Sequence, residues 1–329
     1  MKRLFLVPLL VPLLVSVLAA CSPAASDADG EVYVAGPMAP AAQKHPDAVP
    51  VLVDTDLAPD DLAALALLAR HPGVEVVAVT VPLTGQLGCV GRGLVADLFE
   101  GLGTPPPPLA CGDTARGPDG VAFPQAWTMG AIQSSGLVGD HVPPSLTPVE
   151  SPAAELIART ARRHDRLQVV ALGPLTELAT VLRRHPAAYA RLGGITMMAG
   201  AVDSASHGDG IAEWNAGADP VPFAEVLASG VPVLVVPDDP VPRGAPSGLA
   251  GPVVGSLGRV PGFESPAYWD LVTAGVFLAP SAATTESGTW SVDTTGDRGR
   301  LRRTGDGPVQ VVSAVDAAAL DEVYRAAFG

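Results

Sequence analysis

The chain has 329 residues, 34 of them acidic and 20 basic, with a formal net charge of -14. Gripping a phosphate backbone needs a basic face, so this balance argues against nucleic acid as a partner. It suits a protein that holds a cation, although a solvated acidic surface is the commoner cause of such an excess.

The first residues read as an export signal. Lys2 and Arg3 precede an apolar run over residues 4–20, interrupted by Pro8 and Pro12 and ending in Leu18-Ala19-Ala20-Cys21. The run is too short and too proline-broken for a spanning helix. A cysteine directly after small residues resembles the bacterial lipobox. That resemblance implies removal of residues 1–20 and lipid on Cys21; a plain signal peptide with an incidental cysteine is the simpler alternative. A cysteine carrying more than one acyl chain anchors stably. The expectation is an exported, cell-envelope lipoprotein that touches the membrane only through this anchor. Residues 21–47 are rich in Ala, Pro, Asp and Ser and read as a tether, because they offer too little apolar surface to offset ordering entropy. Residues 48–329 are long enough for one large α/β domain.

Within that domain, β-rich runs alternate with helical patterns. Residues 48–53 read as a buried strand and 60–70 as a helix with Leu62, Leu65 and Leu68 or Ala69 on one face. His71-Pro72-Gly73 stops it, and 74–81 is the next strand. Residues 90–102 are helical, and the prolines at 105–108 turn into another short strand. The stretch 112–150 is rich in Gly and Pro, has no clear period, and reads as a long functional loop. Ser151-Pro152 predicts a helix start, with Ser as cap and Pro in the first position. Strands follow at 167–171, 195–198, 231–236 and 309–314, and helices at 174–184, 219–229, 267–278 and 316–328. This alternation predicts a Rossmann-like, mostly parallel sheet with helices on both faces, whose ligands bind beyond the carboxyl ends of the strands. Beyond Cys21 only Cys89 and Cys111 remain; a disulfide is allowed outside the cell, and two separate buried thiols are the slightly favoured expectation.

The most informative segment is Val51-Leu52-Val53-Asp54-Thr55-Asp56-Leu57-Ala58-Pro59-Asp60-Asp61. Four carboxylates fall within eight residues, directly after a buried strand. Pro59 suits the first helical position, which puts Asp60 and Asp61 in the first turn and folds them back toward Asp56. Like charges so close raise each other's pKa. A helix N-terminus offsets about 0.3–1 kcal/mol per acid, whereas a hard divalent cation with oxygen ligands offsets far more. Capping explains one or two of these acids and leaves the others without a role.

Asp54-Thr55-Asp56 with Asp60-Asp61 resembles the amino-terminal signature of the inosine-uridine-preferring nucleoside hydrolases. The resemblance continues in Val170-Ala171-Leu172-Gly173-Pro174-Leu175-Thr176-Glu177, in Met197-Met198-Ala199-Gly200-Ala201-Val202, in Ala212-Glu213-Trp214-Asn215 with Asp219-Pro220, and in Tyr268-Trp269-Asp270; Phe123-Pro124 and Trp127 match one branch more weakly. It implies hydrolysis of the N-glycosidic bond of a small-molecule ribonucleoside, with Ca2+ as cofactor. By that resemblance Asp56, Asp61, Asp270 and the Leu172 carbonyl hold the metal, and Asp56 is also the general base toward water. Asp60, Glu213 and Asn215 bind ribose, and Asp54 supports the site. Assembly into a homo-oligomer is compatible with this.

The chain departs from the pattern in places. Trp269 stands where some members carry a histidine that protonates the departing base; an indole cannot do that at neutral pH, although it can stack on a purine or simply pack in the core. His207 is the nearest alternative acid. Gln86, within Thr84-Gly85-Gln86, replaces an expected Asn as amide donor, and Asp209 is nearest to a second missing Asn. A surface nucleoside- or ribose-binding lipoprotein with little turnover is the alternative function. A phosphatase using Asp54-Thr55-Asp56 fits poorly, because no basic residue for phosphate lies nearby.

Overall fold

The computed structural model describes residues 43–134, 151–247 and 267–328. The export signal, Cys21, most of the tether and the end of the long loop lie outside the described residues. The segment just before the first strand is bound to the domain: the His45 N–H donates to the Pro72 carbonyl at 2.8 Å, and Lys44 Nζ to that of His71 at 3.0 Å.

In chain order, β1 (Val49–Asp54), α1 (Pro59–Arg70), β2 (Val74–Val81), α2 (Arg92–Gly101) and β3 (Leu109–Cys111) form one half. After α3 (Gln125–Ser134), the other half runs α4 (Ala153–Arg163), β4 (Gln168–Ala171), α5 (Thr176–Arg184), α6 (Pro186–Tyr189), β5 (Gly194–Met198), α7 (Trp214–Ala218), α8 (Pro220–Leu227) and β6 (Val233–Val236). The chain closes with α9 (Trp269–Leu278), β7 (Ala283–Val292), β8 (Leu301–Val315) and α10 (Ala317–Phe328).

The eight strands make one sheet in the order β3-β2-β1-β4-β5-β6-β8-β7. Every neighbouring pair is parallel except β7–β8. This is the expected α/β, mostly parallel architecture. From β1 the chain first builds outward through β2 and β3, then returns to add β4 on the other side. The order therefore reverses between β1 and β4, and a crevice opens beyond their carboxyl ends.

Strand alternation sorts β1 between two cores. Val51 and Val53 face α1, α2, α9 and α10, whereas Leu52 faces α4, α5 and α8. Burial on both faces explains why the central strands are continuous apolar runs. Helix α1 was expected to bury one stripe; instead residues 60–69 are all buried, because α9 packs over the side that would otherwise meet water. Truncating a fully buried member such as Leu65 to Ala costs about 2–5 kcal/mol.

Four local expectations need correction. Ser151 does not cap α4: Pro152 is the cap residue and makes no side-chain capping bond, while Ser151 Oγ accepts from Arg159 at 3.3 Å. The region read as structureless contains α3, whose weak apolar period gave no signal. The predicted strand 309–314 is the inner end of the fifteen-residue β8, which pairs with the unpredicted β7. Most of the described β7 side chains are exposed and polar, so the hairpin lacks the apolar alternation that marks a half-buried strand. Cys89 and Cys111 are joined in a disulfide, with Cα atoms 5.8 Å apart, because β3 ends beside the turn that leads into α2.

Candidate active site

The crevice between β1 and β4 holds a cavity of about 300 Å³ whose wall includes Asp56, Asp60, Gln86, Leu172, Asn215 and Asp270. Gln86 lies in the loop that leaves β2, and the others come from the carboxyl end of a strand or from the first turn of a helix. Asp56 follows β1; Asp60 and Asp61 open α1; Leu172 follows β4; Asn215 opens α7; Asp270 opens α9.

Asp56 is gripped by main chain. Its Oδ2 accepts the Gln86 N–H at 2.9 Å and its Oδ1 the Ala58 N–H at 3.3 Å; its carbonyl accepts from Leu87 and Gly88. Gly85 permits this approach: at φ +141°, a Cβ there would lie 2.4 Å from the Asp56 Cβ. The bend at Leu57, at φ +65°, turns the chain from β1 into α1.

Asp60, Asp61 and Asp270 offer carboxylate oxygens that all lie within 4.8 Å of one another, and all three are buried. The Thr55 hydroxyl donates to Asp61 Oδ1, and the Asp270 N–H donates to Asp60 Oδ2 at 3.2 Å. Among the described residues no donor reaches Asp61 Oδ2 or Asp270 Oδ1. Two buried, unpartnered carboxylate oxygens aimed into one acidic cluster are costly, and a hard cation satisfies both. The residues present thus fit a divalent metal.

Electrostatics agree with that geometry. Burial lifts Asp56 to about 7, despite the Gln86 and Ala58 N–H groups that pull it down. Burial also pushes Asp61 and Asp270 well above the ordinary carboxylate range, and the charge of their acidic neighbours adds to it. Asp60 is raised for the same first reason. Asp54 accepts from the Thr80 hydroxyl at 2.6 Å and is lifted by burial to about 7.

The sequence-predicted sugar-binding residues Asp60, Glu213 and Asn215 all line the cavity. Both oxygens of Glu213 are taken by backbone amides: Asn215 at 2.7 Å, Gly200 at 2.7 Å and Ala216 at 2.9 Å. It caps α7 and ties β5 to it, and burial lifts its pKa to about 7. Asn215 Nδ2 donates to the carbonyls of Leu172 at 2.9 Å and Met198 at 3.2 Å, which among the described residues leaves its Oδ1 as an available acceptor. Gln86 is half-buried in the wall and His207 is an exposed part of it. Trp269 is half-buried in the wall, with its Nε1 donating to Asp238 Oδ1 at 2.6 Å. Asp209 sits exposed in a loop at φ +53°.

Sequence reasoning missed two features. Trp214 forms an aromatic wall with Phe123 (centroids 5.4 Å apart) and Trp127 (5.0 Å, edge-on). Asp238, 3% exposed, lines the cavity from the end of β6. The Asp238-Asp239 pair directly after an apolar strand was a usable signal, because strand carboxyl ends are where such sheets bind ligands.

The chain is similar to known proteins in sequence and in fold. A pyrimidine-specific ribonucleoside hydrolase, RihA, of Salmonella paratyphi A is 30% identical over 190 residues, covering 57% of this chain and 60% of the relative. The chain thus spans about 60% of the length of the curated relatives it matches. A crystal structure of the inosine-uridine preferring nucleoside hydrolase from Bacillus anthracis superimposes with a TM-score of 0.69 at 21% identity, over 84% of this chain and 99% of that one. A purine-preferring ribonucleoside hydrolase from Gardnerella vaginalis gives 0.68 at 21% identity, over 84% and 100%. These two share the fold. Residues 51–322 match the family profile described as inosine-uridine preferring nucleoside hydrolase, and the chain belongs to that family.

Proposed function

We propose that the protein hydrolyses the N-glycosidic bond of ribonucleosides, releasing free base and ribose, with Ca2+ as its metal. The observation that carries this reading is the buried, converging trio Asp60, Asp61 and Asp270 beside Asp56, in a cavity with an aromatic wall. Asp56, Asp61, Asp270 and the Leu172 carbonyl would hold the ion, and Asp60, which shares the cluster, is also placed for a sugar hydroxyl. When bound, calcium supplies positive charge that makes a nearby water more acidic and grips hydroxyl oxygens.

The residues of the chain do the rest. Asp56 takes a proton from water as the water oxygen bonds to the anomeric carbon. The bond from that carbon to the base nitrogen breaks, and its electron pair leaves with the base. Water and base occupy opposite faces of the sugar, as in inverting glycoside hydrolysis. Asn215 Oδ1 and the Glu213 carboxylate accept from ribose hydroxyls, and Glu213 also keeps Asn215 in place through the α7 cap. Trp269 stacks on the base but cannot protonate it; His207 stands in the cavity wall as the imidazole available for that step.

The test is ribose release from a panel of nucleosides, with and without a calcium chelator and with Asp56→Ala. Chelation abolishes release, and Asp56→Ala lowers kcat by about 10²–10⁴-fold. Release that survives both treatments excludes the mechanism, and calcium-dependent binding without release makes the protein a receptor instead.

We further propose that residues 1–20 are an export signal, that Cys21 carries lipid, and that residues 22–47 tether the domain to the cell envelope. Cys21→Ser should then move the protein from the membrane fraction to the soluble one. A protein that partitions identically with and without Cys21 is not anchored there.

A further inference from the structure

We propose that Asp238 is a positioning residue that fixes the Trp269 indole as the platform for the nucleobase. The proposal rests on the ribonucleoside reading above. Trp269 directly precedes Asp270 in the first turn of α9, so the indole and a member of the acidic cluster share one rigid piece of backbone. The backbone sets where the ring starts, and two side-chain torsions set where it points.

Asp238 removes that freedom. Its Oδ1 accepts the indole Nε1–H at 2.6 Å, and the residue is itself 3% exposed. Its own backbone N–H is bound to the Gly200 carbonyl at 2.9 Å, so the carboxylate is an anchored post. Arg243 completes the arrangement. Its guanidinium lies 3.5 Å from Asp238 Oδ2, and its Cζ stands 5.6 Å from the Trp269 ring centroid. The ring is thus held at its edge by an acid and covered by a cation. Asp238 and Trp269 both line the cavity with Asp56 and Asp270. A ring locked at a fixed offset from Asp56 and Asp270 presents the glycosidic bond in one register to the attacking water, and misplacement by about 1 Å costs about 100-fold in rate.

The experiment is a double-mutant cycle on inosine hydrolysis, read together with the indole N–H resonance of Trp269 in 15N-labelled protein. Asp238→Ala raises KM or lowers kcat/KM by about tenfold and moves that resonance. Asp238→Asn keeps an acceptor oxygen, so it retains the resonance and loses less than about threefold in kcat/KM. In a Trp269→Phe background, which has no N–H to hold, Asp238→Ala costs less than about twofold more. A full tenfold loss in that background means that Asp238 acts on substrate directly and overturns the positioning role. So does an indole resonance unmoved by Asp238→Ala. A wild-type protein that releases no ribose from any nucleoside, with the resonance moving as described, sinks the ribonucleoside reading and the platform with it, while leaving Asp238 as the anchor of the ring.

Discussion

Two sets of buried acids occupy opposite faces of the sheet, and they meet their cost in different ways. On one face, Asp60 and Asp61 of α1 and Asp270 of α9 bring their oxygens together beside an open cavity. On the other, Glu177 opens α5 at 1% exposure, and both of its oxygens lack a hydrogen-bond partner among the described residues. Gly112 makes room for it: a Cβ at that position would lie within 3 Å of Glu177. Burial pushes Glu177 well above the ordinary range, and the charge of Asp54 adds to the shift. Convergence plus access allows a cation to compensate the first set. Enclosure favours the protonated form of the second, against the pull of the Leu83 and Glu177 N–H groups. Identical carboxyl chemistry therefore faces an open cavity in one place and an enclosed interior in the other.

Asp270 belongs to the first set alone. Asp270→Asn removes one of the converging charges, and calcium affinity should fall by more than the roughly 10–100-fold that losing an outer-shell partner costs. Calorimetric titration measures it, and unchanged affinity would place the ion elsewhere. Glu177→Gln leaves that affinity unaltered if the two sets are independent.

A smaller effect separates the sets by pH. Burial lifts Asp56 to about 7 and raises Asp61 and Asp270 well above the ordinary carboxylate range, so calcium, if it is the metal, would displace protons on binding. Affinity should rise from pH 5.5 to 7.5, by up to about tenfold per pH unit for each proton released. Titrations in buffers of different ionisation enthalpy count those protons; an affinity independent of pH contradicts the picture.

The smallest effect concerns stability. The folded state holds the Glu177 proton more tightly than the unfolded chain does. Its contribution is complete below the unfolded pKa of about 4.3 and is lost as pH rises toward the raised folded value. Glu177→Gln carries no such proton, so thermal unfolding at pH 8 should shift upward by about 2–4 °C relative to the parent chain, with no gain at pH 4. A melting temperature equally affected at both pH values would mean that Glu177 is ionised and paired.

The sequence displays the acidic loop plainly, because four carboxylates after an apolar strand have few uses and all lie within eight residues. The parallel strands are equally plain, since burial on both faces makes them continuous apolar runs. Long-range partners are harder to read. Asp238 meets Trp269 across 31 residues of chain, and nothing local to either marks the contact. The hairpin β7–β8 hides for the opposite reason: its solvent face is so polar that the strand pattern dissolves. Glu213 stands out in the sequence as an acid of the cavity, but its second task, capping α7 through the Asn215 and Ala216 N–H groups, depends on a local geometry that the residue pattern alone does not display.

Gly85 carries one more consequence. With bare main chain pressed against one flank of Asp56 and amides fastened to both of its oxygens, the carboxyl has little room to swing. The cavity is the space that this confined carboxyl faces, so its reach is set by main chain and not by side-chain rotation. Bulk at position 85, even a methyl group, would shove the acid forward.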